Sequence, residues 1–194
     1  YKVMGLAPYG EAKYVDEIKK MLHFTDNGLF DWDQKYFTQA TKIKLDYEGN
    51  ILSVSQLYTS KMEDVFGPAR KKDEELTQKH KDIAASVQRA CEDLIMHILN
   101  HLQKRTGLKN ICIAGGVAQN SVANGKVLSK TGFEKLYIPS AGHDAGISMG
   151  AGLYLYNQIL DNPMAEPIYS AYTGSRFTNE EIETYLQGRG IKYT

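Results

Sequence analysis

The segment from Thr77 to Thr106 constrains the fold of this chain more than any other part of its sequence. Its apolar residues recur at steps of three and four, the spacing that aligns side chains along one face of an α-helix. They are Ile83, Val87, Ala90, Cys91, Leu94, Ile95, Ile98, Leu99 and Leu102. Gly107 follows where a left-handed C-terminal cap is expected. The pattern therefore predicts a long amphipathic helix.

A short apolar run at residues 110–114 follows this helix, and its β-rich composition indicates a strand. The run ends at Gly115 and Gly116. A further helix is predicted directly after the glycines, from Val117 to Leu128.

A second strand-like run, at residues 136–139, repeats this arrangement. It ends in a glycine-containing turn at residues 140–146, before a predicted helix of small residues from about Ile147 to Leu160. Helices that alternate with short buried strands and glycine turns predict an α/β fold with parallel strands.

The first 60 residues carry weaker patterns and are predicted to be largely irregular. A short helical stretch is expected at residues 13–22. The Asp-Asn-Gly sequence at residues 26–28 indicates a turn between apolar flanks. Short strand pieces are expected at residues 36–37 and 43–45.

Residues 161–194 shift in composition toward turn residues and tyrosines. Within them, residues 178–181 resemble a capped helix start. We therefore expect one lobe over residues 1–160, and a linker with the opening of another unit over residues 161–194. The chain begins without an initiator methionine and ends abruptly, which we interpret as a piece cut from a longer protein.

The charge balance limits the classes of function. The 23 Lys and Arg residues balance the 23 Asp and Glu residues, whereas a nonspecific nucleic-acid binder needs a basic surplus to neutralise phosphates. We therefore expect no nucleic-acid partner. The most charged stretch, residues 70–81, mixes both signs and is interpreted as a solvated face.

The apolar patterns indicate the cellular compartment in which the protein is expected. No apolar run approaches the roughly 20 residues of a membrane span, so no membrane contact is expected. Cys91 and Cys112 lie inside apolar patterns and outside any metal-ligand spacing, which is typical of buried thiols in a reducing compartment. The expected location is cytoplasmic.

Two glycine loops stand at the ends of the predicted strands, where ligands bind in open α/β sheets. Glycines let the backbone approach a phosphate or a nucleoside closely, and the N-terminus of a following helix offers free N–H groups to anions. Gly115 with Gly116 fits this arrangement, and so does the segment from Gly142 to Gly146. Tight packing of a strand against a helix would also use glycines, so both roles remain open.

Asp144 lies in the second glycine loop and has two interpretations. Its carboxylate could hold a hard cation beside nucleotide phosphates, or it could cap the following helix. The neighbouring His143 could be a second ligand or a base, or an exposed loop histidine.

Two pairs of residues are spaced one helical turn apart. Asn120 and Asn124 could read a purine edge or a ribose hydroxyl, or they could be exposed polar positions. His97 and His101 have the spacing of a metal-binding pair. No acidic third ligand accompanies them, so a structural role is favoured.

Several segments, in the same order along the chain, resemble the carbamoyltransferase family of nodulation protein U and cephamycin O-carbamoyltransferase. They are residues 2–10 (KVMGLAPYG), 66–68 with 82–88, 113–126 (IAGGVAQNSVANGK), 139–146 (PSAGHDAG) and 169–174. The resemblance spans nearly the whole chain and is weakest over residues 11–60.

The resemblance implies a fold and a reaction. The chain would be the C-terminal half of an actin-like/sugar-kinase (ribonuclease H-like) ATPase domain, which a YrdC-like domain follows. ATP and carbamoyl phosphate would form a carbamoyl-adenylate with release of pyrophosphate. The carbamoyl group would then pass to a hydroxyl of a small-molecule acceptor such as a sugar, an antibiotic or a lipo-oligosaccharide.

The resemblance also assigns roles to residues. Lys2 would lie near the reacting nucleotide and is the predicted catalytic residue. By the resemblance, Gly115, Gly116 and Asn120 would line the adenosine pocket. The helix spacing and the second glycine loop add Asn124 and Gly142 to the predicted nucleotide-binding residues. Asp144 would be a ligand of a divalent metal, expected to be iron. The family supplies its metal histidines and first phosphate loop upstream of the position of Tyr1, so the isolated chain is expected to fold but to be inactive.

Other functions remain open from the sequence. His143 stands where the family is expected to have a small residue, so the resemblance gives it no role. The alternatives are a tRNA threonylcarbamoyl-transfer enzyme, an actin-like sugar kinase and a non-catalytic nucleotide-binding interaction module. A homodimer is also left open.

Overall fold

The computed structural model describes residues 1–39, 42–164, 166–168, 170, 172 and 174–193. The chain divides into two compact units, a first unit of residues 1–137 and a second unit of residues 138–194. The segment at residues 169–174 that resembles the family lies partly outside the described residues. The predicted division at residue 160 stays a prediction.

Helices and short strands alternate through the first unit. Its helices are α1 (Lys2–Leu6), α2 (Val15–Met21), α3 (Ser60–Phe66), α4 (Gln78–Thr106), α5 (Ser121–Asn124) and α6 (Val127–Lys130). Its strands are β1 (Leu22–Phe24), β2 (Phe30–Trp32), β3 (Leu45–Glu48), β4 (Ile51–Val54), β5 (Asn110–Cys112) and β6 (Lys135–Tyr137). This mixture of helix and sheet fits the predicted α/β class, and the narrower actin-like assignment stays a prediction.

Helix α4 confirms the prediction drawn from residues 77–106. Thr77 is its N-cap residue and forms a capping box with His80, in which the Thr77 N–H donates to His80 Nδ1 at 3.0 Å. Gly107 ends the helix in the left-handed conformation with a φ of 65°, which glycine adopts without a steric penalty. Both ends therefore lie where the sequence predicts them.

The hydrophobic core of the first unit lies between α4, α6 and the sheet of β5 and β6. Leu99, Val127 and Phe133 are buried at its centre. The partly buried residues around them are Ile95, Met96, Ile111, Ile113 and Leu136. Strands β5 and β6 run parallel, with Asn110 opposite Lys135, which confirms the predicted strand direction.

The N-terminal half of α4 also buries polar side chains. They belong to Asp82, Ser86, Gln88 and Glu92, and each residue is at most 8% exposed. Val87, which belongs to the predicted apolar stripe, remains 39% exposed. A search for apolar periodicity counts only apolar residues, so it does not predict the burial of these polar side chains.

Strands β1 and β2 form an antiparallel hairpin around the predicted turn at residues 26–28. The Phe24 ring stacks on His97 with 4.8 Å between ring centroids, and His97 Nε2 lies 3.1 Å from the Leu29 carbonyl oxygen. His101 packs beneath the glycine of the turn, where a Cβ would lie 2.2 Å from its ring. The two histidines hold the hairpin against α4, which confirms their structural role.

The predictions for the other N-terminal segments have mixed outcomes. Helix α2 confirms the helical stretch, and β3 begins at the end of the predicted strand at residues 43–45. The strand predicted at residues 36–37 is confirmed only at Phe37, which forms an isolated antiparallel β-bridge with Tyr58, because Gln34–Tyr36 is a 3₁₀ turn. Asp33 starts this turn by accepting a hydrogen bond from the Lys35 N–H at 3.1 Å.

The single helix predicted from Val117 to Leu128 is wrong. The segment forms a 3₁₀ turn at Gly116–Gln119, followed by the separate helices α5 and α6. Asn120 interrupts the helix with a ψ of 88°, and its side chain accepts a hydrogen bond from the Ala123 N–H at 3.2 Å. Asn120 thus acts as the N-cap of α5, and a capping side chain favours a new helix start.

The second unit contains a 3₁₀ turn at Asp144–Gly146 and two helices, α7 (Ile147–Tyr154) and α8 (Asn179–Gly188). A π-helical turn at Leu155–Ile159 extends α7, which confirms the predicted helix to about residue 160. Thr178 and Glu181 form the capping box of α8, as predicted. In neither unit does the described part of the chain hold a helix with the length and apolar character of a membrane span.

Candidate nucleotide-binding site

A groove of about 400 Å³ opens on the first unit, between α1, α4 and the glycine loop after β5. The three elements contribute apolar walls and three amide side chains. The lining residues are Tyr1, Val3, Met4, Val87, Gln88, Cys91, Gly116, Val117, Gln119 and Asn120. The groove thus brings together two segments that lie more than a hundred positions apart in the chain, residues 2–10 and 113–126.

Close backbone contact fixes the first of these segments on α4. A Cβ on Gly10 would lie 2.1 Å from the Lys81 carbonyl oxygen and 2.6 Å from the Asp82 nitrogen. The neighbouring Tyr9 carbonyl accepts a hydrogen bond from Gln78 Nε2 at 3.2 Å. Glycine is therefore required at position 10 by the close approach of two backbones.

Asp82 and Ser86 of α4 hold the chain that follows Gly10. Asp82 Oδ1 accepts from the Glu11 N–H at 2.9 Å, Asp82 Oδ2 pairs with Lys13 Nζ at 3.0 Å, and Ser86 Oγ accepts from the Tyr14 N–H at 2.9 Å. The backbone N–H of Glu11, with help from Gln78 and Lys13, lowers the pKa of the Asp82 carboxyl to about 2. The ionised carboxylate is thus the form that fits this site.

A reciprocal amide pair fixes the glycine loop on α4. Gln88 Nε2 donates to Asn120 Oδ1 at 3.1 Å, and Asn120 Nδ2 donates to Gln88 Oε1 at 3.0 Å. Asn124 Nδ2 donates to the Ala118 carbonyl oxygen at 2.7 Å within the loop. Both predicted asparagines are therefore partly buried and bonded to protein, and Asn120 lines the groove while its amide orients the loop.

Glu92 extends this amide pair into a buried network. Glu92 Oε1 accepts from Gln88 Nε2 at 2.9 Å, and Glu92 Oε2 pairs with Lys126 Nζ at 2.6 Å. The Glu92 carboxylate is buried, so the partners on both of its oxygens offset the cost of removing it from water. The network ties α4 to both ends of the α5 segment.

The backbone conformation favours glycine at one of the two loop positions but not at the other. Gly115 has a φ of 111°, a conformation that favours glycine, whereas a Cβ on Gly116 would meet no atom within 4 Å. Gly116 lines the groove, so its missing side chain keeps the groove open. Tight packing of a strand against a helix does not explain glycine at this position.

Lys2 lies on α1 beside the groove. Its side chain is exposed, and its Nζ lies 5.9 Å from the centroid of the Tyr1 ring. Tyr1 and Val3, its neighbours in the chain, line the groove, and Lys2 does not. Its catalytic role stays a prediction.

Gly142 and Asp144 belong to the second unit. Gly142 is buried and Asp144 is exposed. His143 and Gly146 occupy the N-cap positions of the 3₁₀ turn and of α7, and neither helix start has a side-chain cap. Asp144 therefore does not cap the following helix. The role of Asp144 in metal binding stays a prediction.

The described residues do not supply a complete metal site. Nowhere among them do three or more His, Cys, Asp or Glu side chains come together in a group that could hold a metal ion. A divalent metal at Asp144 would need further ligands from outside the described residues. No catalytic step is therefore assigned to a metal.

Sequence reasoning missed Gln88, Glu92 and Cys91 as parts of this site. Gln88 and Glu92 are four residues apart on the predicted helix. This spacing places two side chains next to each other and could have indicated the polar pair. Cys91 was treated only as a buried thiol, and the structure places it in the groove wall. Burial first, and the neighbouring Glu92 carboxylate second, raise the pKa of the Cys91 thiol.

Comparison with known proteins establishes the class of this chain. Residues 1–153 match the family described as the carbamoyltransferase N-terminus. The chain therefore belongs to the carbamoyltransferase N-terminal family, which confirms the resemblance noted from the motifs.

The chain is also similar to individual proteins over at least 90% of its length. The chain is 40% identical to the uncharacterized protein sll1178 of Synechocystis, over 99% of this chain and 30% of the relative. It is 35% identical to nodulation protein NolNO of Sinorhizobium fredii, over 90% of this chain and 22% of the relative. It is 32% identical to nodulation protein NolO of Bradyrhizobium diazoefficiens, over 93% of this chain and 29% of the relative. The chain thus spans less than a third of the length of these relatives.

Proposed function

We propose that this chain forms part of a longer, ATP-dependent O-carbamoyltransferase and that the groove between α1, α4 and the glycine loop binds the nucleotide. One observation carries the proposal. Gly116 lines the groove although neither its backbone conformation nor its neighbours require glycine. A ligand that lies against the loop backbone would require it.

The chemistry of the groove suits the adenosine part of ATP. Val3, Met4, Val87 and Val117 offer apolar contact to a base, and the amide of Gln119 is a hydrogen-bonding group in the lining. Ligand sites commonly combine mostly apolar walls with a few fixed polar groups. The amide pair of Gln88 and Asn120 holds the loop in place before the ligand arrives, which reduces the ordering cost of binding.

The proposed reaction is the one that the resemblance to the carbamoyltransferase family implies. ATP, carbamoyl phosphate and water would give a carbamoyl-adenylate, pyrophosphate and inorganic phosphate. The carbamoyl group would then pass to a hydroxyl of a small-molecule acceptor, with release of AMP. Asp144 would be one of the residues that hold a divalent metal, and such an ion would supply Lewis-acid chemistry to a carbonyl group. A sugar, an antibiotic or a lipo-oligosaccharide would each present a suitable hydroxyl.

Alkylation of Cys91 tests the nucleotide site directly. In the complete protein, ATP with magnesium at ten times its dissociation constant is expected to slow the modification of Cys91 by iodoacetamide about tenfold, because occupied molecules are protected. Peptide mapping by mass spectrometry measures the rate at each cysteine. Cys112 is exposed and lies outside the groove lining, so its rate serves as the control. Equal rates at Cys91 with and without ATP would exclude the nucleotide from this groove.

A further inference from the structure

A second cleft in the first unit, of about 640 Å³, lies between α3, the loop at residues 67–77 and the first turns of α4. It shares no lining residue with the nucleotide groove. It includes Phe66, Gly67 and Pro68, which belong to the motifs that resemble the family but take no part in the groove. Residues 70–81, interpreted from their mixed charge as a solvated face, supply part of its wall.

The floor of this cleft consists of apolar and aromatic side chains. Met62 and Phe66 of α3, Ile83 of α4 and Tyr58 line it, and all four are partly buried. The Phe66 ring packs against the Tyr14 ring, with 5.9 Å between the ring centroids in an edge-on arrangement. A flat or aliphatic group could therefore bury its surface here.

The acidic side chains of the cleft are already engaged with its own loop. Glu63 Oε1 accepts from the Ala69 N–H at 3.2 Å, and Glu74 Oε2 accepts from the Lys71 N–H at 2.9 Å. Arg70 donates to the backbone carbonyl oxygens of Lys72 and Glu74. These contacts shape the loop.

Lys79 differs from these groups, because within the described part of the chain its ammonium group has no ion-pair or hydrogen-bond partner, a property that it shares with Lys71 of the same lining. Its Nζ lies against Gly67, where a Cβ would be only 2.7 Å away. Beside it, His80 Nδ1 accepts a hydrogen bond from the Thr77 N–H, so the imidazole proton is assigned to Nε2, which is a donor. A free cation and a donor thus stand next to the apolar floor.

We propose that this cleft binds a small organic anion, in which a carboxylate or phosphate group pairs with Lys79 and an aromatic or acyl group packs on Phe66 and Ile83. The cleft has the volume of a small-molecule site with mostly apolar walls. A lysine ammonium is a compact partner for either anion. The site is separate from the nucleotide groove and does not depend on the proposed carbamoyl transfer.

Titration of the complete protein with 1-anilinonaphthalene-8-sulfonate, a fluorescent aromatic anion, tests this site. Saturable binding is expected, and Lys79→Met is expected to weaken it about tenfold because the charge pair is lost. Lys79→Arg keeps the charge and should keep most of the affinity. Lys72→Met is the matched control, since Lys72 lies in the same loop outside the lining and should bind like the wild type.

Competition identifies the anion. Displacement of the probe by phenyl phosphate alone would assign a phosphate ligand, and displacement by phenylacetate alone would assign a carboxylate ligand. Displacement by neither compound would overturn the proposal. Titration curves that superimpose for the wild type and Lys79→Met would overturn it as well.

Discussion

Replacing Gly10 by alanine is expected to lower the free energy of unfolding by about 3 kcal/mol, the upper range for forcing a group into a packed site. The new Cβ would lie 2.1 Å and 2.2 Å from the carbonyl oxygen and carbon of Lys81. These atoms belong to the backbone of α4 and cannot turn aside as a side chain can. The φ of −127° and ψ of 173° at Gly10 suit alanine, so the clash alone causes the effect.

The same substitution is expected to remove one wall of the groove that is proposed to bind the nucleotide. Tyr1, Val3 and Met4 line the groove, and their segment is held on α4 by the contact at Gly10. Denaturant unfolding measures the stability, and a nucleotide titration measures the affinity. Gly5→Ala is the matched control, because a Cβ on Gly5 meets nothing within 4 Å and alanine favours the helix by up to about 1 kcal/mol. A wild-type unfolding midpoint for Gly10→Ala would refute the close contact.

Replacing Gly116 by valine is expected to weaken nucleotide binding about 10- to 100-fold while the free energy of unfolding stays within about 0.5 kcal/mol of the wild type. The free protein has room for the side chain, since no atom lies within 4 Å of the new Cβ. The added atoms would occupy the groove, where the nucleotide is proposed to lie. The substitution therefore separates a role in binding from a role in folding.

Isothermal titration with ATP and magnesium, together with denaturant unfolding, measures both quantities for Gly116→Val. Gly188→Val provides the control, because Gly188 also has open space around it and lies in α8 of the second unit. Its nucleotide affinity should match the wild type. If Gly116→Val binds ATP as tightly as the wild type, the nucleotide does not use this loop.

The sequence predicts the parts of the fold that depend on local periodicity and on caps. The long helix α4 begins after Thr77 and ends at Gly107 as its pattern indicates, and the parallel pair β5 and β6 follows from alternating elements. In these segments the local preferences and the final packing agree.

The sequence does not predict structure that depends on distant partners. Gln88 and Asn120 are 32 positions apart, and their amide pair exists only once the glycine loop packs on α4. The same pair explains why the helix predicted from Val117 is broken, because Asn120 is held as an N-cap. The buried Asp82 carboxylate likewise accepts a hydrogen bond from the Glu11 N–H, 71 positions away in the sequence. Charge and hydropathy patterns do not predict such contacts.

The candidate site also combines parts that local sequence patterns predict with parts that depend on distant contacts. Its glycine loop was predicted from strand and helix patterns together with the family motifs, and Gly116 and Asn120 do line the groove. Its second wall, from α1, was expected only through the resemblance. The polar network of Gln88 and Glu92 became visible only through the structure.

Pyrophosphate release from ATP by the complete protein, with and without carbamoyl phosphate, tests the central claim most directly. The proposed function predicts release that depends on carbamoyl phosphate, because the carbamoyl-adenylate forms only when both substrates are present. Gly116→Val should reduce this release at limiting ATP, and Gly188→Val should not. Failure of the folded, metal-loaded protein to release pyrophosphate in the presence of both substrates would contradict the account.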